Sequence, residues 1–185
     1  IVGGGPIGVE FAYIYKAYGV DVTIVELLEN IVPNEDEEVS KQLLRSLTKI
    51  GITIKTGCKV SSVKNNKASV RVSFDSDGQI EESTFDRVLV AIGVVPNTTG
   101  IGLEENSIAM ENGYVLVDDQ MRTSIPNIYA IGDITGKLPL AHVASAQANI
   151  AVESICGLET VALEYSMIPR AIYCNPQVAS LGLTE

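Results

Sequence analysis

Gly3-Gly4-Gly5-Pro6-Ile7-Gly8 is the stretch of sequence that decides the fold. Its G-x-G-x-x-G spacing follows the apolar pair Ile1-Val2 and precedes a segment, 9–18, that reads as a helix. In this arrangement the first glycine permits a tight turn, the second lets a pyrophosphate approach the backbone, and the third lets the helix pack closely on the strand. The free N–H groups at the start of the helix then face the phosphates. The stretch therefore predicts a strand–loop–helix unit that binds a dinucleotide.

An acidic residue, Glu26, ends the β-branched run 20–26, which is typical of a buried parallel strand. It follows the glycine loop by about 20 residues, the distance at which a carboxylate binds the adenosine ribose of NAD. A carboxylate there repels a 2′-phosphate, and residues 27–30 contain no Arg or Lys to bind one, so NAD is favoured over NADP. FAD sites use the same glycine spacing, and plain structural turns are also rich in glycine. The motif alone leaves the dinucleotide open.

The remaining sequence predicts an α/β fold with a Rossmann-like parallel sheet, interrupted by a three-stranded antiparallel meander in place of a crossover helix. Asn34, with Glu37 three residues on, is the expected N-cap of the second helix. The expected turns of the meander are Asn65-Asn66 and Asp77-Gly78. Helices are expected at 9–18, 35–50 and 140–156. Strands are expected at 1–2, 20–26, 52–54, 59–63, 68–74, 79–85, 87–92, 114–117 and 127–131.

Composition and charge exclude several classes of function. The net charge is −10, from 23 acidic and 13 basic residues without a basic cluster, which argues against binding to nucleic acid or anionic lipid. No uninterrupted apolar run reaches the roughly 18 residues of a membrane-spanning helix, so no membrane association is expected. Cys58, Cys156 and Cys174 form no C-x-x-C or C-x4-C pair. We interpret all three as buried thiols in a reducing cytoplasm.

Longer motifs resemble the two-dinucleotide flavoprotein disulfide reductases (the flavoprotein pyridine nucleotide-disulfide oxidoreductase family), and the resemblance covers nearly the whole chain. Segment 3–12, with a glutamate after the third glycine, is similar to that family's NAD(P)H glycine loop. Segment 87–98 resembles the strand that leads to its G-R-x-P-N signature, although Val94 stands where the family often has Arg. Segment 123–133, ending in Ile131-Gly132-Asp133, resembles its second FAD motif.

Within that family, segments 140–142 and 175–185 are most similar to the dihydrolipoamide dehydrogenases, and mercuric reductase is the nearest alternative enzyme. The resemblance implies an NAD-binding domain over 1–98. Residues 99–165 would contain its remainder and pass into part of the FAD/central domain, and 166–185 would open a C-terminal dimerisation domain. We interpret both chain ends as cuts in a longer protein, because the chain starts within a strand and Thr184 reads as an N-cap with no helix after it.

The resemblance also implies roles for individual residues. Glu26 would bind the ribose, and Val60 would line the adenine site. Glu10 would lie near the nicotinamide and pair with a lysine beside the flavin, and Asp133 would accept a hydrogen bond from the ribityl chain of FAD. The implied cofactor-binding residues are Gly3, Gly5, Pro6, Ile7, Gly8, Glu10, Glu26, Val60, Ala91, Ile92, Gly93, Asp133, Leu140, Ala141 and His142. No catalytic or metal-binding residue is implied for this chain.

Each of these roles has a simple structural alternative. Glu10 could be an acid favoured by the dipole of its helix, and Asp133 could form an Asx turn. Val60 could belong to the core. His142, with no acid or cysteine beside it in sequence, is interpreted as packing and hydrogen bonding near the flavin rather than as a catalytic base.

In enzymes of this kind, a cysteine pair oxidises dihydrolipoamide through a mixed disulfide, electrons pass to FAD, and the flavin N5 gives a hydride to NAD. The resemblance implies that the parent protein is such a homodimeric, NAD- and FAD-dependent enzyme in the cytoplasm or an organellar matrix. Its partners would be the lipoyl domains of 2-oxo acid dehydrogenase complexes. The chain lacks the cysteine pair, so the piece itself is expected to be inactive, and FAD is expected to belong to the parent enzyme and not to be retained by the piece. The alternatives are mercuric or another flavin disulfide reductase, and a non-catalytic dinucleotide-binding module.

Overall fold

A computed structural model describes residues 1–76 and 78–184 of the chain. Asp77 of the predicted turn and Glu185 therefore lie outside the described residues. The chain forms two compact units. Ile1–Gly93 and the segment that starts at Pro169 form the first unit, and Val94–Ile168 form the second. In the described part of the chain, none of the helices has the length and apolar character needed to cross a membrane.

The first unit contains a parallel sheet. Strand β1 (Thr23–Val25) pairs in parallel with β2 (Thr53–Lys55), and Val2 forms parallel bridges to Val25 and to Val90. The order across the sheet is therefore β2, β1, the chain at Val2 and the chain at Val90. This is the order of one half of a doubly wound nucleotide-binding sheet. The predicted parallel sheet is confirmed, with shorter strands than the sequence indicated.

Two helices accompany this sheet, α1 (Pro6–Ala17) and α2 (Glu37–Lys49). Their apolar residues form one core with the strands, made of Val9, Ala12, Val22, Ile24, Ile31, Val32, Leu43, Leu47 and Ile52 together with three residues of the C-terminal segment. The predicted N-cap of α2 is wrong, because Asp36 precedes the helix instead of Asn34. Glu35 donates its N–H to the carbonyl of Val32 at 3.0 Å, and this turn delays the start of the helix.

The meander consists of β3 (Lys59–Asn65), β4 (Val70–Ser76) and β5 (Gln79–Phe85), antiparallel and in that order. Val72 and Phe74 of β4 are buried against Val25 and Cys58. The alternation of apolar residues in β4 therefore packs one face of the meander on the parallel sheet, as predicted. The predicted combination of a parallel sheet and a three-stranded antiparallel sheet is confirmed.

The last part of the first unit is a hairpin of β8 (Arg170–Ile172) and β9 (Val178–Ser180). Ile172, Cys174 and Val178 complete the core that contains α1 and α2. Arg170 places Nε 3.6 Å from Oε1 of Glu35, a carboxylate that is largely buried. The C-terminal segment thus contributes to the interior of the unit that begins the chain.

The second unit contains a short hairpin of β6 (Met110–Glu111) and β7 (Tyr114–Val115), a 3-10 helix at Gly132–Thr135 and the helix α3 (Ala141–Ile155). The prediction of α3 is correct within one residue at each end. The strand predicted at 127–131 is wrong, since only one bridge, between Arg122 and Tyr129, forms there. Asn127 has φ of 67°, a left-handed value that interrupts an extended strand.

The three cysteines differ in their surroundings. Cys58 and Cys174 are buried, as predicted, whereas Cys156 is exposed because it lies at the C-terminal end of α3, so the prediction for Cys156 is wrong. Burial raises the pKa of the Cys58 thiol, and the negative charges of Glu81 and Asp75 act in the same direction, against Lys55. Burial also raises the pKa of the Cys174 thiol. Both buried thiols therefore stay protonated and unreactive near neutral pH.

These differences predict that one thiol per folded chain reacts quickly with an aromatic disulfide reagent near neutral pH. That thiol is Cys156, since attack requires an accessible thiolate. Cys58 and Cys174 should react only after unfolding in guanidinium. The release of the coloured thiol measures both phases. In the Cys156→Ser variant the fast phase should vanish, and a fast phase that survives this substitution would show that a buried thiol is accessible.

Candidate functional site

A cavity of about 580 Å³ opens in the first unit at the carboxyl ends of the parallel strands. This size is within the range of small-molecule sites, and the carboxyl edge is where sheets of this order bind their ligands. Residues with a predicted role that line the cavity are Gly3, Gly5, Pro6, Ile7, Glu26, Val60, Ala91, Ile92 and Gly93. The structure therefore brings the glycine loop, the strand-end acid and the end of the last parallel strand around one space.

The three glycines of the motif have different surroundings. Gly3 has φ of 104°, and a Cβ there would lie 2.3 Å from the carbonyl oxygen of Ala91. A Cβ on Gly8 would lie 2.0 Å from the carbonyl oxygen of Gly3. At Gly5, in contrast, no atom lies within 4 Å of the Cβ position. The fold itself requires Gly3 and Gly8, whereas the surroundings of Gly5 leave space for a ligand.

The start of α1 offers hydrogen-bond donors to this space. Gly5 is the N-cap and supplies no side chain, and Pro6 at the first position has no N–H. The N–H groups of Gly5, Ile7 and Gly8 have no acceptor among the described residues, as expected in the first turn of a helix. The first turn also contains no acidic residue. These free donors and the positive end of the helix dipole make the loop suited to bind a phosphate.

Glu26 is buried, with 8% of its surface exposed, and both of its carboxylate oxygens accept hydrogen bonds. Oε2 accepts from the Gly4 N–H at 2.5 Å, and Oε1 accepts from the Leu28 N–H at 2.8 Å. Because a carboxylate oxygen has two acceptor positions, each one can still accept from a ribose hydroxyl. The side chain also holds the glycine loop at Gly4, which the sequence did not reveal.

The cavity also contains residues that the sequence interpretation did not select: Leu27, Leu28, Pro33, Asn34, Cys58 and Lys59. Lys59 is the important omission. Among the described lining residues it is the one cation, and β3 brings it to the same space as Glu26. The search for a base to bind a 2′-phosphate covered only the residues that follow Glu26. Its position in sequence next to Val60, which was already assigned to the adenine site, could have indicated Lys59.

Glu10 is placed differently from the residues of the cavity. It lies on α1, and its Oε1 accepts a hydrogen bond from the Tyr173 N–H at 2.7 Å. The carboxylate thus joins α1 to the C-terminal segment, and it is not among the residues that line the cavity. In this structure the carboxylate of Glu10 is partly exposed and accepts a hydrogen bond from the protein.

The other predicted residues belong to the second unit. Asp133 is an exposed residue of the 3-10 helix at Gly132–Thr135, and no described residue donates a hydrogen bond to its carboxylate. An Asx turn at Asp133 is therefore not observed. Leu140 is the N-cap of α3, which Ala141 and His142 begin. The 3-10 helix contacts α3, so these residues lie in one region of the second unit.

Comparison with known sequences connects both regions to one family. The profile of the pyridine nucleotide-disulphide oxidoreductase family matches residues 1–148. The dihydrolipoyl dehydrogenase of Mycobacterium leprae is 54% identical over 187 residues, and that of Corynebacterium glutamicum is 47% identical over 189 residues. Each alignment covers 100% of this chain and 40% of the relative. The chain therefore spans about 40% of the length of the curated relatives that it matches.

Solved structures agree with this comparison. LpdA from Mycobacterium tuberculosis has 34% sequence identity and a TM-score of 0.88, over 98% of this chain and 39% of that one. The HOCl-induced flavoprotein disulfide reductase RclA from Escherichia coli has 28% identity and a TM-score of 0.89, over 100% of this chain and 42% of that one. Both structural similarities extend over both compact units of this chain.

Proposed function

This chain belongs to the pyridine nucleotide-disulphide oxidoreductase family, and from that membership we propose that it is the NAD-binding part, with some of the FAD-binding part, of a dihydrolipoamide dehydrogenase. Relatives with that name align with the whole chain at up to 54% identity, whereas RclA, a different disulfide reductase, has 28%. These values favour dihydrolipoamide dehydrogenase over other reductases of the family.

The observation that carries the NAD assignment is the buried carboxylate of Glu26 beside a glycine loop with free N–H groups. In the proposed complex, the N–H groups of Ile7 and Gly8 bind the pyrophosphate. Glu26 accepts hydrogen bonds from the adenosine ribose, and Val60 lies against the adenine. Ala91, Ile92 and Gly93 then border the nicotinamide half. Bound NAD supplies the acceptor for a hydride; the residues of this chain bind and orient it.

The FAD assignment depends on the second unit. The exposed carboxylate of Asp133 has no partner among the described residues and belongs to the 3-10 helix that contacts α3, so it fits a ligand chain that carries hydroxyl groups. We propose that Asp133 accepts from the ribityl chain of FAD and that Leu140, Ala141 and His142 lie near the flavin ring. Glu10 would take its place near the nicotinamide in the whole protein, where a lysine beside the flavin is its proposed partner.

For the whole protein we propose oxidation of dihydrolipoamide on the lipoyl domains of 2-oxo acid dehydrogenase complexes, by a homodimer in the cytoplasm or an organellar matrix. Residues 1–98 are then its NAD-binding domain, 99–165 lead into the FAD/central domain, and 166–185 open the dimerisation domain. The chain lacks a C-x4-C pair, so we expect no turnover of dihydrolipoamide by the chain alone.

Calorimetric titration of the chain with NADH and with NADPH tests the cofactor assignment. We expect NADPH to bind at least about tenfold more weakly, because its 2′-phosphate meets the buried carboxylate of Glu26. Lys59 should support the residual NADPH binding, so Lys59→Gln should weaken NADPH binding more than NADH binding. Equal or stronger binding of NADPH would contradict the role of Glu26 and favour an NADPH-dependent reductase. Failure of both ligands to bind would contradict a preformed site in this chain.

A further inference from the structure

Gln147 stands out in the second unit because it is a fully buried polar side chain in the middle of α3, with 0% of its surface exposed. Its Oε1 accepts a hydrogen bond from the Gly132 N–H at 2.6 Å. Its Nε2 donates to the hydroxyl of Tyr165 at 2.9 Å. Burying an amide is unfavourable unless its hydrogen bonds are made, and here both ends have a partner. Gln147 therefore ties three separate parts of the second unit together.

Gly132, whose N–H Gln147 holds, is restrained at its carbonyl group too. The carbonyl of Gly132 accepts a hydrogen bond from Oγ1 of Thr135, which is also buried, at 2.8 Å. Gly132 has φ of 76°, and a Cβ there would lie 3.4 Å from the Cβ of Ala144 on α3. Glycine is the residue with the greatest backbone freedom. Side-chain hydrogen bonds from Gln147 and Thr135 thus fix a residue that would otherwise be mobile.

The next residue is Asp133, and its exposed carboxylate has no hydrogen-bond donor among the described residues. The hydrogen bonds that Gln147 and Thr135 make to Gly132 (the clamp) therefore lie one residue away from an exposed acceptor. An acceptor held in this way binds a ligand hydroxyl with little further loss of conformational entropy.

We propose that Gln147 is a positioning residue that holds the Gly132–Asp133 turn in its binding shape before a ligand arrives. The ligand would be a polyhydroxyl chain whose hydroxyl donates to Asp133; its identity as the ribityl chain of FAD rests on the proposed function. Gln147 itself touches no ligand. Its removal should lower the affinity for FAD, because binding must then order the turn.

Flavin binding by the whole parent protein and amide exchange of the purified chain test this proposal, because this chain contains only some of the FAD-binding part. Gln147→Met keeps the length of the side chain and removes both polar ends. Thr135→Val leaves Gln147 in place and releases the carbonyl of Gly132. Asn149→Leu is the matched control, since it removes an amide from the exposed face of the same helix. Quenching of flavin fluorescence gives the affinity for FAD, and hydrogen exchange of the Gly132 amide, measured by NMR without flavin, reports the clamp.

We expect Gln147→Met to weaken FAD binding about tenfold and to speed the exchange of the Gly132 amide by a similar factor, as the loss of a buried hydrogen bond predicts. Thr135→Val should change both quantities in the same direction, and Asn149→Leu should change neither. If Gln147→Met speeds exchange but binds FAD like the wild type, the positioning role is wrong. If Gln147→Met does not fold, an unchanged FAD affinity in Thr135→Val contradicts the proposal.

A separate result would overturn the proposed function of this unit. If the wild-type parent protein binds no FAD although exchange at Gly132 shows the clamp intact, the flavin assignment of Asp133 fails, and the positioning proposal fails with it. The two failures are distinguishable because the exchange measurement needs no flavin.

Discussion

Glu26→Ala is expected to weaken NADH binding by at least about 100-fold and to lower the free energy of unfolding by about 2 kcal/mol. The loss of affinity follows from the missing acceptors for the ribose hydroxyls, since each hydrogen bond to a charged group contributes about 1.5–3 kcal/mol. The loss of stability follows from the Gly4 N–H, which is buried and bonded to Oε2 of Glu26. Calorimetric titration measures the affinity, and denaturant unfolding measures the stability.

Two further variants separate these effects. Glu26→Gln keeps a carbonyl oxygen for the Gly4 N–H, so it should recover most of the stability while NADH binding stays weakened. Glu29→Ala removes an exposed carboxylate from the same connection and should leave both quantities unchanged. Wild-type affinity in Glu26→Ala would exclude the ribose role. Wild-type stability together with lost affinity would mean that the bond to Gly4 is dispensable for the fold.

Alanine at Gly5 and alanine at Gly8 should affect different properties. Gly5→Ala should weaken NADH binding, whereas Gly8→Ala should lower the stability of the fold. Gly5 has φ of −71° and ψ of −177°, which alanine adopts readily, and its Cβ would meet no atom within 4 Å. Gly5→Ala should therefore fold with a stability change below about 0.5 kcal/mol. Its methyl group would occupy the space through which the pyrophosphate approaches the backbone, so we expect NADH affinity to fall about 100-fold.

Gly8→Ala should instead disrupt the fold. Its Cβ would lie 2.0 Å from the carbonyl oxygen of Gly3, a backbone atom that cannot move without opening the loop. We expect a loss of more than about 4 kcal/mol of stability, or no folded chain. Thermal unfolding and NADH titration of both variants provide the measurement. Weakened folding in Gly5→Ala, or a stable Gly8→Ala, would refute this division of roles between the glycines.

The elements that the sequence predicted well are those with a strong local pattern. In β4, alternation at Val70, Val72 and Phe74 indicated both a strand and the face that it buries. In α3, residues of high helical propensity are followed by Gly157, and the helix ends at Ile155. Where the backbone departs from the local pattern, prediction failed. The left-handed φ of Asn127 and the turn before Asp36 are examples.

The candidate site shows the same limit. The glycine spacing and the distance to Glu26 are local properties, and they located most of the cavity. Lys59 was not predicted as a residue of the cavity, because its position there depends on how the meander folds back on the sheet. The contact between Glu10 and Tyr173 joins residues 163 positions apart. The role of the buried Gln147 depends on its hydrogen bond to Gly132, which lies on another element. No periodicity in the sequence encodes such pairs.

The contribution of Ile172, Cys174 and Val178 to the first core has a consequence for the order of events during synthesis. On the ribosome, the N-terminal residues emerge first and normally fold as a unit while translation continues. Here the whole of Val94–Ile168 must be made before the residues that close this core leave the exit tunnel. Until then, the nascent first unit presents an uncovered apolar surface, and we expect chaperones to bind it at this stage.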